Sequence, residues 1–196
     1  MPASDYFTAT SYSDYNETPN YISFRLLGTA GSITFKDNYN TYFTVIGGGG
    51  GGGGGGHNTG AFTPAYPSGG GGGAGAFGQI SYHVSPDISY SYEIGDGGGG
   101  AAGNLKGALG GDSSVTFSAG EYIDASGGSG GGGYYDSNVG GAAGNLTVSG
   151  VTPIISSSGG AGGHGVVESN IGLDPSGNGL AGFDSVPSSV ENYPNN

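Results

Sequence analysis

Apolar residues are thinly spread, and where they cluster they alternate with polar ones at a period of two. Tyr21-Ile22-Ser23-Phe24-Arg25-Leu26 is rich in β-forming residues, and Ser32-Ile33-Thr34-Phe35 alternates cleanly. Asp37-Asn38 supplies turn chemistry before Thr41-Tyr42-Phe43-Thr44-Val45-Ile46. Residues 79–84 and 88–94 alternate on both sides of Ser85-Pro86-Asp87 and read as a hairpin. Val115-Thr116-Phe117 and Tyr122-Ile123, bridged by Ala119-Gly120, predict a second hairpin. Leu146-Thr147-Val148 and residues 151–155 predict further strands. No apolar stripe at the 3.6-residue period occurs, so no α-helix is expected. Residues 1–20 are polar with tyrosines (Tyr6, Tyr12, Tyr15) and read as an arm that wraps over a neighbour. The expected organisation is an arm over 1–20, a β-rich entry over 21–46, a glycine-rich domain with hairpins over 47–165, and a tail over 166–196.

Between these strands lie glycine runs. Ten consecutive glycines fill 47–56, and 69–78 is interrupted only by Ala74, Ala76 and Phe77. Further runs occupy 95–103, 127–133, 140–144 and 159–165. A polyproline-II-like helix has three residues per turn, so close lateral packing demands glycine at every third position. Gly47, Gly50, Gly53 and Gly56 satisfy that phase, as do Gly69, Gly72, Gly75 and Gly78. So do Gly97, Gly100 and Gly103, then Gly127, Gly130 and Gly133, then Gly159, Gly162 and Gly165. In 69–78, 97–103 and 159–165 every larger residue falls off this phase. The expected fold is therefore all-β and irregular: short strands and hairpins combined with packed polyglycine-II helices and essentially no α-helix. The pure run 47–56, about 31 Å long at ~3.1 Å per residue, is expected at the bundle centre. The alternative, glycine-rich loops between the strands of a β-sandwich, stays open on the sequence. Gly99-Gly100-Ala101-Ala102-Gly103-Asn104-Leu105 recurs as Gly140-Gly141-Ala142-Ala143-Gly144-Asn145-Leu146, which predicts a repeated junction from glycine segment to strand.

Composition sharpens this picture. Glycine supplies 49 of 196 residues. Ordering each instead of alanine costs roughly 0.5–1 kcal/mol, which sums to tens of kcal/mol and calls for a repetitive lattice to offset it. An aromatic content of 11% argues against a flexible linker. Three basic residues (Arg25, Lys36, Lys106) against 15 acidic ones give a formal charge of −12, which makes nucleic acid and anionic membrane poor partners. Cysteine is absent, excluding disulfides and thiolate chemistry. Met1-Pro2-Ala3-Ser4-Asp5 has no basic region before an apolar stretch, and no apolar run is long enough to span a bilayer.

The order Ser32-Ile33-Thr34-Phe35, then Phe43-Thr44-Val45-Ile46-Gly47 and a long glycine run, resembles the glycine-rich domain of phage tail and bacterial surface proteins. Tyr90-Ser91-Tyr92-Glu93-Ile94-Gly95-Asp96-Gly97-Gly98 and the step Gly110-Gly111-Asp112-Ser113-Ser114 add to the likeness, which covers residues 30–165. More loosely, the chain resembles the tip adhesins of T-even-type long tail fibres, in which packed polyglycine helices carry receptor-binding loops. Snow flea antifreeze proteins share polyglycine packing, but they use disulfides and a more continuous glycine period. The resemblance implies a non-enzymatic virion structural protein, an adhesin made in the host cytoplasm. The partners it implies are other virion proteins and a host surface glycan or protein, with the chain in a homo-oligomer or larger assembly. The competing expectation is a capsid-decorating or fibre-joining protein without receptor binding.

The candidate recognition residues are Phe62 and Tyr66, between the first two runs, and Tyr134, Tyr135 and Asp136, between later ones. Rings of this kind stack on sugars or fill partner pockets, and an acid adds orientation; the same rings also serve as apolar caps on bundle ends. No catalytic residue, metal site or cofactor is expected. Gly127-Gly128-Ser129-Gly130-Gly131 matches the nucleophile-elbow pattern, but the strand-turn-helix context that the elbow needs is missing. His57, His83 and His164 lack ligand spacing.

Overall fold

The computed structural model describes residues 5–56, 68–134 and 139–165. They form eleven strands: β1 (Phe7–Ala9), β2 (Tyr12–Glu17), β3 (Ile22–Leu26), β4 (Ala30–Phe35), β5 (Tyr39–Ile46), β6 (Phe77–Val84), β7 (Ser89–Glu93), β8 (Ser113–Ser118), β9 (Glu121–Ala125), β10 (Leu146–Ser149) and β11 (Pro153–Ser157). No α-helix occurs among the described residues.

One antiparallel sheet has the order β1-β4-β7-β8-β9-β10. Facing it are a three-stranded sheet, β11-β6-β5, and a two-stranded ribbon, β2-β3. β5 packs over β8 and β9, β6 over β9, and β11 over β10. The alternation read from the sequence is what makes this work: in β7 the two tyrosines are buried and the flanking residues exposed, and β5 alternates likewise. Their inward residues meet in one core, with Ile33, Ile80, Val84 and Ile123 almost fully enclosed. Aromatic rings fill much of it: Tyr82 stacks on Phe117 at 4.2 Å, and Phe43 meets Phe117 edge-on at 5.0 Å.

Two expectations change here. The segment 79–94 is not a hairpin. β6 pairs with β5 and β11, whereas β7 pairs with β4 and β8, so the connection at Pro86 and Asp87 crosses between the two layers. Alternation fixes which face of a strand is buried but not which strand it pairs with, and Asp87 adopts a positive φ of 59° that aims the chain across. Residues 5–17, expected as part of a polar arm, supply β1 and β2. Phe7 is 2% exposed and stacks on Phe24 at 4.0 Å, so this stretch is part of the core. The hairpin over 115–123 does form, with Gly120 at φ 96° in its turn.

The glycine-rich segments continue these strands outward. We number them I (47–56), II (68–76), III (94–102), IV (105–112), V (126–134), VI (139–145) and VII (158–165). Segments I, III, V and VII leave β5, β7, β9 and β11; II, IV and VI return into β6, β8 and β10. None is assigned as helix or strand.

Candidate structural site: the glycine lattice and its junction

Backbone hydrogen bonds between these segments repeat every third residue. The N–H groups of Gly47, Gly50 and Gly53 donate to the carbonyls of Ala76, Gly73 and Gly70 at 2.7–2.8 Å. Those of Gly48, Gly51 and Gly54 donate to Gly111, Ala108 and Leu105 at 2.9 Å. A β-strand would send alternate residues to opposite sides; here successive residues address successive neighbours. Segment I accepts in turn from III (Gly98 to Gly49, Ala101 to Gly52) and from V (Gly128 to Gly48, Gly131 to Gly51).

Following all such bonds gives two rows. III, I, II and VII lie side by side, and IV, V and VI lie in the grooves beneath them. Among the described residues I, II and V each bond to four neighbouring segments, whereas III bonds to I and IV, and VII to II and VI. The run 47–56, expected at the centre of a bundle, is therefore not surrounded. Segment I keeps an outer face, on which Gly52 and Gly55 are exposed. Residues 69–76 are the segment buried throughout.

The close approach explains the glycines position by position. A Cβ on Gly47, Gly50 or Gly53 would land on the carbonyl of Ser126, Ser129 or Gly132 in V. One on Gly69, Gly72 or Gly75 would land on the carbonyls of segment I, and one on Gly48, Gly51 or Gly54 on those of Asp96, Gly99 and Gly103. At Gly56 the nearest atom is Cδ1 of Tyr134 at 3.0 Å, and at Gly78 it is Cδ1 of Leu146 at 2.6 Å, so both meet side chains instead. In III the expected phase is displaced. Gly97 and Gly100 have their nearest atom at 3.9 Å and Gly103 has none within reach, while a Cβ on Gly98 would lie 2.8 Å from Gly51 N. III ends its row, so the face carrying Gly97 and Gly100 is open.

Where strand becomes lattice, the layers must close from the ~10 Å spacing of packed sheets to direct hydrogen bonding. The inward side chains shrink toward that junction: Phe43, Val45, Gly47 along β5; Phe117, Val115, Ser113, Gly111 along β8; Ile123, Ala125, Gly127 along β9. Side-chain acceptors take over at the change of pattern. Ser113 Oγ accepts from Gly95 N–H at 3.0 Å, Asp112 Oδ1 from Gly127 N–H at 2.9 Å, and Ser126 Oγ from Asn145 N–H at 2.8 Å. The Gly-Gly-Asp-Ser-Ser step is thus the point where β8 tapers into IV and satisfies both flanking chains. Sequence reasoning noted the step without its role; the descending series of side-chain sizes at every second position was the legible signal.

Residues 28–193 match the family described as the glycine-rich domain. The chain belongs to that family. No curated protein matches it significantly.

Of the recognition candidates, Phe62, Tyr66, Tyr135 and Asp136 lie outside the described residues, as does His57. Tyr134 is half-buried; its N–H donates to Gly54 O at 3.3 Å and its ring covers Gly56. Ser129, the formal nucleophile-elbow serine, sits inside V with its backbone bonded to Ala142 and Gly73, in neither a strand nor a turn before a helix. His83 Nδ1 meets Asn40 Oδ1 at 2.9 Å on the β5–β6 ladder. Among the described residues no group of His, Cys, Asp and Glu has metal-ligating geometry. The two copies of Gly-Gly-Ala-Ala-Gly-Asn-Leu differ in role: Asn145-Leu146 opens β10, but Asn104-Leu105 follows a reversal at Gly103, whose φ is 60°.

Several titratable groups on the strands have shifted proton affinities. Hydrogen bonds from Ser118 and then Tyr82 hold Glu121 below its usual range, and burial with the Glu121 contact pushes Tyr82 up to about 12. Asp124 is raised, first by burial and then by Asp112 and Glu93, and its Oδ1 has no hydrogen-bond partner among the described residues.

Proposed function

We propose that this chain is a non-enzymatic virion structural protein, a phage tail-fibre or appendage adhesin whose glycine segments are polyglycine-II helices. The three-residue bonding period and the two-row packing support the helix assignment. The observation that carries the adhesin reading is the direction of the segments. I turns back into II, III into IV and V into VI at the same end of the slab, where Gly53 bonds Gly70, Gly54 bonds Leu105 and Gly132 bonds Val139. The connections bearing Phe62, Tyr66, Tyr135 and Asp136 all begin at that end, opposite the sandwich. A slab crosslinked in two directions fixes the points from which these connections start, and fixed anchor points favour a preorganised recognition surface. The proposed partners are a host-surface glycan or protein at that end and other virion proteins elsewhere.

Binding of the labelled protein to host cells tests the reading. Changing Phe62, Tyr66, Tyr134 and Tyr135 together to alanine abolishes attachment while the circular dichroism spectrum is kept. Variants that still attach, in particles that fail to assemble, would instead establish the capsid-decorating or fibre-joining role.

A further inference from the structure

Segments I and II each bond to two neighbours in their own row and two in the lower row, yet only II is enclosed. A Cβ on Gly72 or Gly75 faces I, and one on Gly73 faces VI beneath. The remaining position of the three-residue turn, Gly71 and then Ala74, stands a third of a turn from both and faces away from the lower row. Among the described residues no segment bonds to II on that side. Ala74 is nevertheless only 5% exposed, and every residue of 69–76 is buried. The outward side of I is open: Gly52 and Gly55 are exposed, and the atom nearest a Cβ on Gly52 is 3.9 Å away.

The cover on II therefore comes from elsewhere in the same chain, and reach selects the stretch that supplies it. From Ser68 to Ala76 is about 25 Å at ~3.1 Å per residue. The connection 57–67 starts and ends at the tip of the slab, between Gly56 and Ser68. Doubled back, it reaches about 20 Å at most, and it would lie over I as much as over II. Residues 135–138 join V to VI in the lower row, and residues 1–4 precede the sandwich. Phe77 is about 9 Å along the chain from Ala74, too far for its ring to enclose residues 71–73. Residues 166–196 remain. They follow Gly165 at the tip end of VII, the segment that bonds to II on the side away from I.

We propose that the outer side of II is a docking seat for the chain's own residues 166–196, which return along it as an eighth segment of the lattice. I, III and V each run outward and are followed by a segment that returns; VII also runs outward, and 166–196 follows it. The match to the glycine-rich domain continues past VII to residue 193. A segment at the rim needs glycine only at the phase that faces its neighbour. IV keeps Gly107 and Gly110 against I and carries Ala108 and Leu109 between them. Gly179-Leu180-Ala181-Gly182 has the same arrangement. The seat also suits the charge of 166–196, which holds four acids and no Lys or Arg: β5, β6, β11 and segments I, II and VII contain no Asp, Glu, Lys or Arg. The inference does not rest on the adhesin reading.

The chain has no cysteine, so one engineered thiol reports the cover in the full-length protein. Ala74→Cys reacts with iodoacetamide at least tenfold more slowly than Gly52→Cys. Adding Gly179→Val and Gly182→Val puts a Cβ on the facing phase of the proposed segment, and the Ala74→Cys thiol then reacts at least tenfold faster, with Gly52→Cys unchanged. Leu180→Val, off that phase, leaves both rates as they were. A second measurement needs no thiol: relaxation of the Ala74 methyl by a soluble gadolinium chelate is weak in the wild-type protein and rises at least threefold in the Gly179→Val, Gly182→Val protein. The methyl of Ala142, exposed on the lower row, is relaxed equally in both. Shielding of Ala74 that survives the two valines overturns the proposal and assigns the cover to the connection 57–67. Shielding that fades on dilution overturns it in favour of a second copy. An equal effect of Leu180→Val overturns the glycine-phased contact on which the seat depends.

Discussion

Gly50→Ala and Gly52→Ala place the same methyl group two residues apart on one segment, and the lattice predicts opposite outcomes. At Gly50 the new Cβ lands on the Ser129 carbonyl and lies 2.7 Å from Gly128 O. Carbon and carbonyl oxygen pack at roughly 3.3–3.6 Å, so segment V must retreat by about 1 Å. The bonds from Gly128 to Gly48 and from Gly131 to Gly51, both 2.9 Å now, then pass beyond hydrogen-bonding range. The bonds that tie V to II, Gly73 to Ser129 and Gly70 to Gly132, are strained by the same movement. Losing two to four bonds at about 1 kcal/mol each costs ~2–4 kcal/mol. Replacing glycine by alanine returns about 0.4–1 kcal/mol by restricting the unfolded chain. Gly50→Ala is therefore destabilising by about 2–3 kcal/mol. At Gly52 the nearest atom is Gly70 O at 3.9 Å and the residue is exposed, so the unfolded-state term acts alone. Gly52→Ala stabilises by ~0.4–1 kcal/mol. For a domain of this size the pair separates by roughly 10 °C in melting temperature. Urea titration followed by circular dichroism measures both. Equal stability of the two variants would refute the close-packed rows, and so would Gly50→Ala as the more stable protein.

Three further outcomes follow from the junction and the strands. Asp112→Ala and Ser113→Ala each strand one backbone N–H where sheet turns into lattice, and each lowers stability by about 1–3 kcal/mol in denaturant titration. Asp124→Asn raises the melting temperature at neutral pH: the carboxyl's raised folded affinity for its proton means stability is lost as pH rises through that value, so the gain over wild type grows from acid to neutral pH. Glu121→Gln behaves in the reverse sense. Its lowered folded value gives stability that is present above the unfolded carboxyl range and lost on acidification, so the variant is less stable at neutral pH and converges with wild type in acid.

The strands were legible because each has one wet face, and a period of two is what such a surface leaves in a sequence. β5 and β8 could be read on that signal alone. Pairing was not, and the break after Val84 shows why. Two alternating stretches joined by Ser85-Pro86-Asp87 are compatible with a hairpin, and the same alternation serves a chain that leaves one layer for the other. β1 was missed because Phe7-Thr8-Ala9 is too short to show a period, and its burial depends on Phe24, which lies far along the chain. In I, II, V and VII the glycines at every third position stand where a Cβ meets a neighbour's backbone, or the side chain of Tyr134 at Gly56 and of Leu146 at Gly78. The phase slipped by one in III, because a segment at the end of a row has neighbours on fewer sides and its open face accepts any small residue.

The side-chain taper connects these two readable patterns. A sandwich needs bulky inward residues to hold its sheets apart, and the lattice needs none so that its rows can bond directly. A chain that contains both must pass through intermediate sizes in register on neighbouring strands. Val45, Val115 and Ala125 form that intermediate layer, with Ser113 and then Gly47, Gly111 and Gly127 beyond it. Val45 and Val115 can be small because Phe43 and Phe117 already fill the layer before them, where the rings meet at 5.0 Å. Enlarging Ala125, which is fully buried, to leucine would move the wide spacing one step into the lattice. The bonds nearest the junction would then fail first: Gly47 to Ala76 and Ala76 to Ser126. Overpacking of this kind costs about 1–3 kcal/mol. Hydrogen exchange localises the damage: the amides of Gly47 and Ala76 lose protection in Ala125→Leu, while those of Gly53 and Gly70, at the far end of the same two segments, keep it. Uniform loss along both segments would mean that the rows stand or fall as one unit, independent of the taper that leads into them.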